Sequence, residues 1–479
     1  MLFKLKLQLN YENYCMINIF GTSGVRGILG KTHTIEDIIN ITYSINEFFK
    51  GRDVIIGYDC RKHSLPLAYI AASSLLLYGT YVAMAGVIST PSMQLYLKKK
   101  NFNYGIMFTA SHNPKQYFGL KVFDNNGVEI SEDVERRISD IYFSSLERPG
   151  KEKITWEKSK LRMEDITENL IEEYIEEVDH LFPFFNEKIK NFKIAADYCN
   201  CSTINTAGRY LSNTFPNIIH INNRLDGHFP SREPEPTPDN IRKIVNELKG
   251  KIDIGVSFDG DGDRGVIFDG HGKIYWGDEI GVIVSLILKD YLGIDTVVTP
   301  ISSSTIVNDV LTKAGVKVIW TKVGAKNVVN YMLQKKINLG FEENGGLIYL
   351  PHISGRDGLI TLLFTLKAIE KENTSIWEIR NKLPKTYIIK RSIYVENDKS
   401  KVFNMLKETI QAKYDKEIED TINIDGIKLF LKDKVSILIR PSGTEPKIRI
   451  FTEADTKEKA DKISSEIIET ALELMEKLA

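Results

Sequence analysis

Short apolar runs alternate with amphipathic stretches along most of the chain. Three segments repeat one pattern: an apolar run, a polar turn, an amphipathic stretch, then a second apolar run. They are VIIGYD (54–59) to YVAMAG (81–86), KIAAD (193–197) to IIHIN (218–222), and TVVTP (296–300) to VKVIW (316–320). Strands alternating with helical patterns of this length predict βαβ units and parallel sheet. Their spacing of about 100 to 140 residues predicts three related α/β domains, since a solenoid repeats over a much shorter period.

The last part of the chain reads differently. LPKTYIIKRSIYVEN (383–397) is followed by a helical KVFNMLKETIQ (401–411), by short strands IKLFL (427–431), VSILIRP (435–441) and IRIFTEA (448–454), and by an amphipathic helix over 457–478. Strands flanked by helices in so short a stretch predict a smaller α+β domain. Breaks are expected in the charged segment 147–161, around Asp269 to Gly272, and near Pro384. The resulting division is 16–158, 159–268, 269–384 and 385–479, with residues 1–15 set apart.

Composition narrows the classes. The 479 residues carry 63 Lys+Arg against 64 Asp+Glu, a formal charge of −1. That length exceeds one core and predicts about three or four domains. The balanced charge argues against a protein that coats nucleic acid. Cys15, Cys60, Cys199 and Cys201 are too few for a disulfide framework, and Cys199/Cys201 is C-x-C, not a zinc pair, so they read as free thiols of a reducing compartment. No run of eighteen apolar residues occurs, and Lys4 and Lys6 interrupt the N-terminal apolar stretch. Neither a membrane span nor a signal peptide is expected, and the protein is expected to be cytoplasmic.

Four polar loops carry candidate chemistry. After the apolar IDIGVSF comes Asp259-Gly260-Asp261-Gly262-Asp263-Arg264-Gly265. Three carboxylates at alternate positions on a flexible backbone can converge on one hard divalent cation. An EF-hand is excluded, because its sixth position would be Arg264 and its twelfth Gly270. The three glycines also satisfy G-x-G-x-x-G, but the intervening carboxylates would repel a pyrophosphate and a strand-like VIFDG follows where a helix is required. In FTASHNP (108–114), Ser111 sits in a turn with Asn113-Pro114 and lacks the glycines of a nucleophile elbow, so acyl transfer is unsupported. Arg440-Pro441-Ser442-Gly443-Thr444-Glu445-Pro446-Lys447-Ile448-Arg449 offers guanidinium, hydroxyls and backbone N–H groups suited to an oxyanion, without a Walker A sequence. Gly340-Phe341-Glu342-Glu343-Asn344-Gly345-Gly346 offers acceptors and an amide for vicinal hydroxyls, and reads equally as a solvated turn.

Taken in order, FGTSGVRG (20–27), TASHNP (109–114), DGDGDR (259–264), GFEENGG (340–346) and RPSGTEPKIR (440–449) resemble the α-D-phosphohexomutase superfamily. GYDCRKHS (57–64), GVISTPS (86–92), FPSREPEPTPDN (229–240) and TKVGAKN (321–327) add to the resemblance, which runs from about Ile17 to the C-terminus. It implies three α/β domains and a fourth domain related to TATA-binding-protein folds, arranged around a central cleft. It implies that Ser111 is carried as phosphoserine and that Asp259, Asp261 and Asp263 hold Mg²⁺ together with a phosphoserine oxygen. Arg26, Arg264, Lys121 and His112 would surround the transferring phosphoryl group. Glu342 and Asn344 would read sugar hydroxyls, while Arg440, Ser442, Gly443, Thr444 and Arg449, with Lys326, would grip the other phosphate. Phosphoserine would donate to a phosphorylated hexose, and a sugar 1,6-bisphosphate would turn over in the cleft and return its other phosphate.

The sequence departs from the usual pattern at Gly346, where the family often has His, at Phe341, where it often has Gly, and at His63, where Ser is usual. Lys326 stands where related sequences vary. The E-E-N-G-G form resembles archaeal-type phosphoglucomutase/phosphomannomutase sequences. The expected activity is therefore interconversion of hexose 1- and 6-phosphates, glucose and mannose first and glucosamine as the alternative. A non-catalytic sugar-phosphate-binding protein would need neither Ser111 nor the three Asp, and a metal-dependent phosphatase leaves Ser111 without a role. Residues 1–15 precede the usual start of the pattern and read as an upstream start or an extension. Nothing in the sequence speaks to oligomeric state.

Overall fold

A computed structural model describes residues 18–21, 23–146, 162–395, 398–443 and 445–478. Residues 1–15, the expected break at 147–161 and Thr444 lie wholly or almost wholly outside them. Four sheets follow one another along the chain.

The first sheet contains β1 (Val25–Gly27), β2 (Val54–Tyr58), β3 (Val82–Val87), β4 (Tyr104–Phe108), β5 (Phe118–Asp124) and β6 (Met163–Asp165), in the order β1-β5-β4-β2-β3-β6. Its β2 and β3 are the first expected βαβ unit, parallel and joined by the helix Ser64–Leu77. The strand β6, which the sequence division places in the second domain, pairs parallel with β3 and completes the first sheet. Its three residues are exposed and charged or amphipathic, so no apolar run marked it.

The second sheet runs β10-β9-β7-β8, with β7 (Ile194–Asp197), β8 (Ile219–Ile221), β9 (Ile254–Phe258) and β10 (Gly265–Asp269). The third runs β12-β11-β13-β14, with β11 (Thr296–Pro300), β12 (Lys317–Thr321), β13 (Leu339–Glu342) and β14 (Gly346–Tyr349). In both, the expected pairs are parallel and each sheet closes with an antiparallel hairpin, β9–β10 and β13–β14. Those hairpin turns are the metal-type and sugar-type loops. The fourth sheet is wholly antiparallel, β15 (Tyr387–Tyr394), β19 (Lys447–Ala454), β18 (Val435–Pro441), β17 (Ile427–Leu431) and β16 (Ile418–Ile422), covered by the helices Lys399–Tyr414 and Lys457–Glu476.

The sheets do not each enclose a private core. One continuous apolar cluster runs from Tyr198 and Phe258 of the second sheet through Ile280 and Ile283 to Phe341 and Leu363 of the third. The first and fourth parts have cores of their own. Within the third part, Gly281 lets the helix Gly277–Leu292 lie directly on β13: a Cβ there would lie 2.3 Å from Cγ of Phe341. The Phe341 ring is therefore a core element, which accounts for a bulky residue inside a polar loop.

The cysteine expectation is corrected. Cys60 and Cys201, 141 residues apart, are joined as a disulfide with Cα atoms 5.1 Å apart, while Cys199 is a free buried thiol. Spacing along the chain carried no trace of this pair, because the packing of the first sheet against the second creates it. Among the described residues no helix is long and apolar enough to cross a membrane.

Candidate active site

The serine loop leaves the buried end of β4. Thr109 donates to Oδ2 of Asp59 at 2.8 Å and accepts from the Ser111 backbone N–H at 2.8 Å. Ser111 itself has φ +49°, a left-handed conformation that costs a non-glycine residue on the order of 1 kcal/mol or more. The Arg61 guanidinium supports it. Fully buried and paired with Asp59 at 3.0 Å, it donates to the carbonyls of Ser111 (2.8 Å), Asn113 (2.6 Å), Pro114 (2.8 Å) and Tyr117 (3.2 Å). One planar, always charged group thus ties the whole turn together.

The turn directs the Ser111 hydroxyl at the metal-type loop, where it donates to Oδ2 of Asp259 at 2.7 Å. In that loop Gly262 takes φ +75°, and Oδ1 of Asp259 accepts from the backbone N–H groups of Gly262 (2.9 Å) and Arg264 (3.3 Å). The backbone N–H and the hydroxyl of Thr90, at the start of the helix Thr90–Lys99, donate to the carbonyl and Oδ2 of Asp261 at 2.8 and 2.6 Å. That helix presents its positive end to the loop. Lys121, on β5, reaches Oδ2 of Asp261 at 2.6 Å and Oδ2 of Asp263 at 3.1 Å.

Each of the three aspartates offers an oxygen within 4.8 Å of the others, and all three side chains are buried. Among the described residues, Oδ1 of Asp261 and Oδ1 of Asp263 have no partner. Buried carboxylate oxygens without a donor are costly, and two of them beside a third carboxylate fit a hard divalent cation. The residues present therefore suit Mg²⁺.

The charges of the centre are strongly coupled. Burial, with Asp263 and Asp261 nearby, pushes the Asp259 carboxyl above its usual range. Burial would raise Asp263 too, but Arg356, Lys121 and Arg264 outweigh it and hold that carboxyl well below its usual range. Burial would lower Lys121, yet Asp261 and Asp263 keep its ammonium above the ordinary value. His112, whose Nδ1 lies 3.3 Å from Oγ of Ser111, is pushed well down by burial and then by Arg264 and Arg26, so it is neutral at pH 7. Arg26 bonds Oδ1 of Asn113 in the serine loop, and Arg264 donates to Glu235 at 3.1 Å.

The sugar-type loop joins this centre through a residue outside all the motifs. Arg356 donates through Nη1 to Oε2 of Glu342 at 2.6 Å and through Nη2 to Oδ2 of Asp263 at 2.7 Å. Its stem lies across Gly346, where a Cβ would come within 2.1 Å of Cδ of Arg356. A side chain at 346 and Arg356 in this position exclude each other, which accounts for the glycine found there. Asn344, whose buried Oδ1 lacks a partner, lines a cavity with Glu235, Arg264, Trp276 and Glu343.

The phosphate-type loop turns between β18 and β19 and stands apart from this cluster. Arg440 pairs with Asp425 at 3.0 Å and keeps a buried Nε without a partner among the described residues. Lys399 donates to the carbonyls of Ser442 (2.6 Å) and Glu445 (3.1 Å), and Arg449 to Glu445 at 3.2 Å. No atom lies within 4 Å of a Cβ built on Gly443, so the turn is open. Burial lowers the Arg440 guanidinium against the pull of Asp425, and Glu343 of the sugar-type loop also acts on it. Lys326 is placed differently from the expectation: its ammonium is paired with the buried carboxylate of Glu135, 2.6 Å away, and bridges the first and third parts.

Sequence reasoning thus brought together Ser111, His112, Lys121, Arg26, Arg264, the three aspartates and Glu342, and it missed Arg61, Thr90, Glu235 and Arg356. Arg61, Thr90 and Glu235 lie inside stretches that carried the resemblance. Arg356 had no such signal, since a single arginine in a polar loop is ordinary.

Models of phosphoglucomutase/phosphomannomutase α/β/α domains I, II and III match residues 18–149, 172–272 and 276–387, and the model of that family's C-terminal domain matches 393–470. The chain belongs to the phosphoglucomutase/phosphomannomutase family. It is accordingly an isomerase of the α-D-phosphohexomutase superfamily, a phosphate-moving mutase. Relatives include a phosphoglucosamine/phosphogalactosamine mutase of Sulfurisphaera tokodaii, 34% identical over 458 residues and covering 94% of this chain and 98% of that one. A phosphoglucomutase/phosphomannomutase of Thermococcus kodakarensis is 33% identical over 468 residues, covering 96% and 99%. The crystal structure of a phosphoglucomutase/phosphomannomutase family protein from Burkholderia thailandensis superposes with a TM-score of 0.81 at 21% identity over 96% of this chain and 98% of that one, a likeness of fold. The four-part α/β architecture with a separate antiparallel C-terminal sheet is the fold of this family.

Proposed function

We propose that this mutase interconverts hexose 1- and 6-phosphates through a phosphoryl group carried on Ser111, with Mg²⁺ held by Asp259, Asp261 and Asp263. The observation that carries the reading is the Ser111 hydroxyl directed at Asp259 inside a ring of cations, beside two orphaned carboxylate oxygens. Mg²⁺, when bound, supplies charge neutralisation for the phosphoryl oxygens.

The chain's own groups supply the rest. The Arg61 bracket fixes the turn, so Oγ is aimed before substrate arrives. Lys121, Arg26 and Arg264 place positive charge around the position of a phosphoryl group on Ser111. Phosphoryl transfer to the sugar breaks the Oγ–P bond and forms a P–O bond to a sugar hydroxyl; the hydroxyl's proton passes to a base, for which His112 beside Oγ is the candidate, and the released Ser111 Oγ takes up a proton. The sugar 1,6-bisphosphate so formed turns over and returns its other phosphoryl group to Ser111. Glu342 and Asn344 grip hydroxyls. Arg440, Ser442, Gly443 and Arg449, with Thr444, receive the phosphate that is not being transferred, and Arg440's free Nε suits that task. Lys326 would join them through the ammonium protons that its contact with Glu135 leaves free.

Glucose and mannose phosphates are the substrates this arrangement favours. Burial raises the Glu342 carboxyl, and Arg356 counters it; with Oε2 already paired, Glu342 offers its other oxygen to a neutral hydroxyl. An amino sugar would bring an ammonium close to Arg356 and Arg264. The kinship to the Sulfurisphaera tokodaii mutase supports glucosamine phosphate as the second reading. Coupled assays on glucose, mannose and glucosamine 1-phosphates decide between them: a large excess of kcat/KM for the amino sugar overturns the first choice.

A further inference from the structure

We propose that Cys60 and Cys201 form a thiol–disulfide site whose redox state sets how firmly the serine loop is held against the metal loop. The inference rests on the mutase reading above for its effect on turnover, and on geometry alone for the cross-link.

Each cysteine belongs to the support of one loop. Cys60 stands between Asp59 and Arg61, the pair that brackets Ser111 through four carbonyls. Cys201 precedes Ser202, whose hydroxyl donates to the Gly260 carbonyl of the metal loop at 2.9 Å. The bond between them therefore connects the two brackets directly, behind the Ser111–Asp259 contact. The surroundings are closely fitted. A Cβ on Gly227 would lie 2.4 Å from the Cys60 carbonyl, and the Arg61 guanidinium stacks 5.1 Å over the Phe229 ring. Residues 199 and 200 both take left-handed conformations, φ +55° and +56°, to bring Cys201 to this place.

The two cysteines differ in exposure. Cys201 is fully buried, whereas Cys60 is partly exposed. The thiolate of an external dithiol attacks Sγ of Cys60, breaking the S–S bond and forming a mixed disulfide. Cys201 leaves as a thiolate and takes a proton. The second thiol of the reagent then displaces Cys60, so the protein gains two electrons and two protons and the dithiol becomes a disulfide. Cys199 cannot compete as a third partner, because burial pushes its thiol up to about 12. Since the bond closes a loop of 141 residues, reduction releases considerable chain entropy to the unfolded state.

The test uses the full-length enzyme after treatment with oxidised or reduced dithiothreitol. Denaturing alkylation and peptide mass spectrometry read the thiols, melting reads stability, and kcat and KM are measured on glucose 1-phosphate with glucose 1,6-bisphosphate. In the oxidised form a Cys60–Cys201 cross-linked peptide is expected. Reduction is expected to lower the melting midpoint by about 5 to 10 °C and kcat severalfold with KM unchanged, because the sugar and distal phosphate grips are remote from the staple. Reoxidation should restore both. Cys60→Ser/Cys201→Ser should sit at the reduced values and ignore the reagent. The proposal is overturned if both cysteines stay alkylatable after oxidation, or if kcat and melting are the same in both states. If the oxidised enzyme turns over no hexose phosphate, the mutase reading fails, while alkylation and melting still decide the cross-link.

Discussion

Ser111 and Asp259 lie 148 residues apart in the chain, yet the serine hydroxyl donates to Oδ2 of the aspartate at 2.7 Å. This contact joins the serine loop of the first part to the aspartate loop of the second. It leads to the first prediction. Incubation with glucose 1,6-bisphosphate should add one phosphoryl group to the wild type, located at residue 111 by peptide mass spectrometry. Ser111→Ala should take up none and lose at least about a thousandfold in kcat/KM, as expected for a lost nucleophile.

Three clustered carboxylates repel one another, and Lys121 and Arg356 reach only Asp261 and Asp263, so the cation should stabilise the fold as well as the reaction. Titration with Mg²⁺ should raise the melting midpoint, by about 2.7 kcal/mol of stability at a hundredfold excess over Kd. Asp261→Asn keeps the contacts to Thr90 and removes one charge; it should flatten that titration. A chelator should abolish activity, restored by added Mg²⁺.

Arg61 is buried, with one carboxylate and four carbonyls depending on it. Arg61→Met leaves Asp59 uncompensated and should cost about 3 to 5 kcal/mol in denaturant unfolding. Arg61→Lys should recover only part, because a single ammonium cannot span the fork of acceptors.

Gly346 and Arg356 should behave as a unit. Gly346→Ala places a methyl group within 2.1 Å of the Arg356 stem and should displace it from Glu342 and Asp263. Either Gly346→Ala or Arg356→Gln should cost on the order of tenfold in kcat/KM. The double variant should lose little more than the worse single one, a coupling of about 1 kcal/mol or more read from a double-mutant cycle.

Lys428, buried at the junction of the third and fourth parts, donates to the carbonyls of Ile301 and Ser303. Burial brings its ammonium down to about 8, despite Glu453 and Asp278. A lysine depressed from 10.5 binds its proton more weakly in the folded state. Its contribution is complete above the unfolded value and is lost as pH falls through about 8. The stability of wild type relative to Lys428→Met should therefore rise between about pH 8 and 10.5, by at most about 3 kcal/mol. A flat difference across that range would refute the assignment.

The alternation of apolar runs and polar turns determined much of this protein by itself. Each expected βαβ pair is parallel, because a helix carries the chain back to the start of the next strand, and the C-terminal strands form the separate antiparallel sheet. Ser111, the three aspartates and the phosphate-type loop were legible because their chemistry is contiguous in sequence. Tertiary structure decided what no local pattern can encode. It set which loop faces which, the fusion of the second and third cores, the added strand β6, and the pairing of Lys326 with Glu135. It also decided the roles of Arg61 and Arg356, and the pairing of Cys60 with Cys201. These depend on side chains distant in sequence meeting across packed sheets, and the energy of such meetings belongs to the fold, with no trace in any window of the chain.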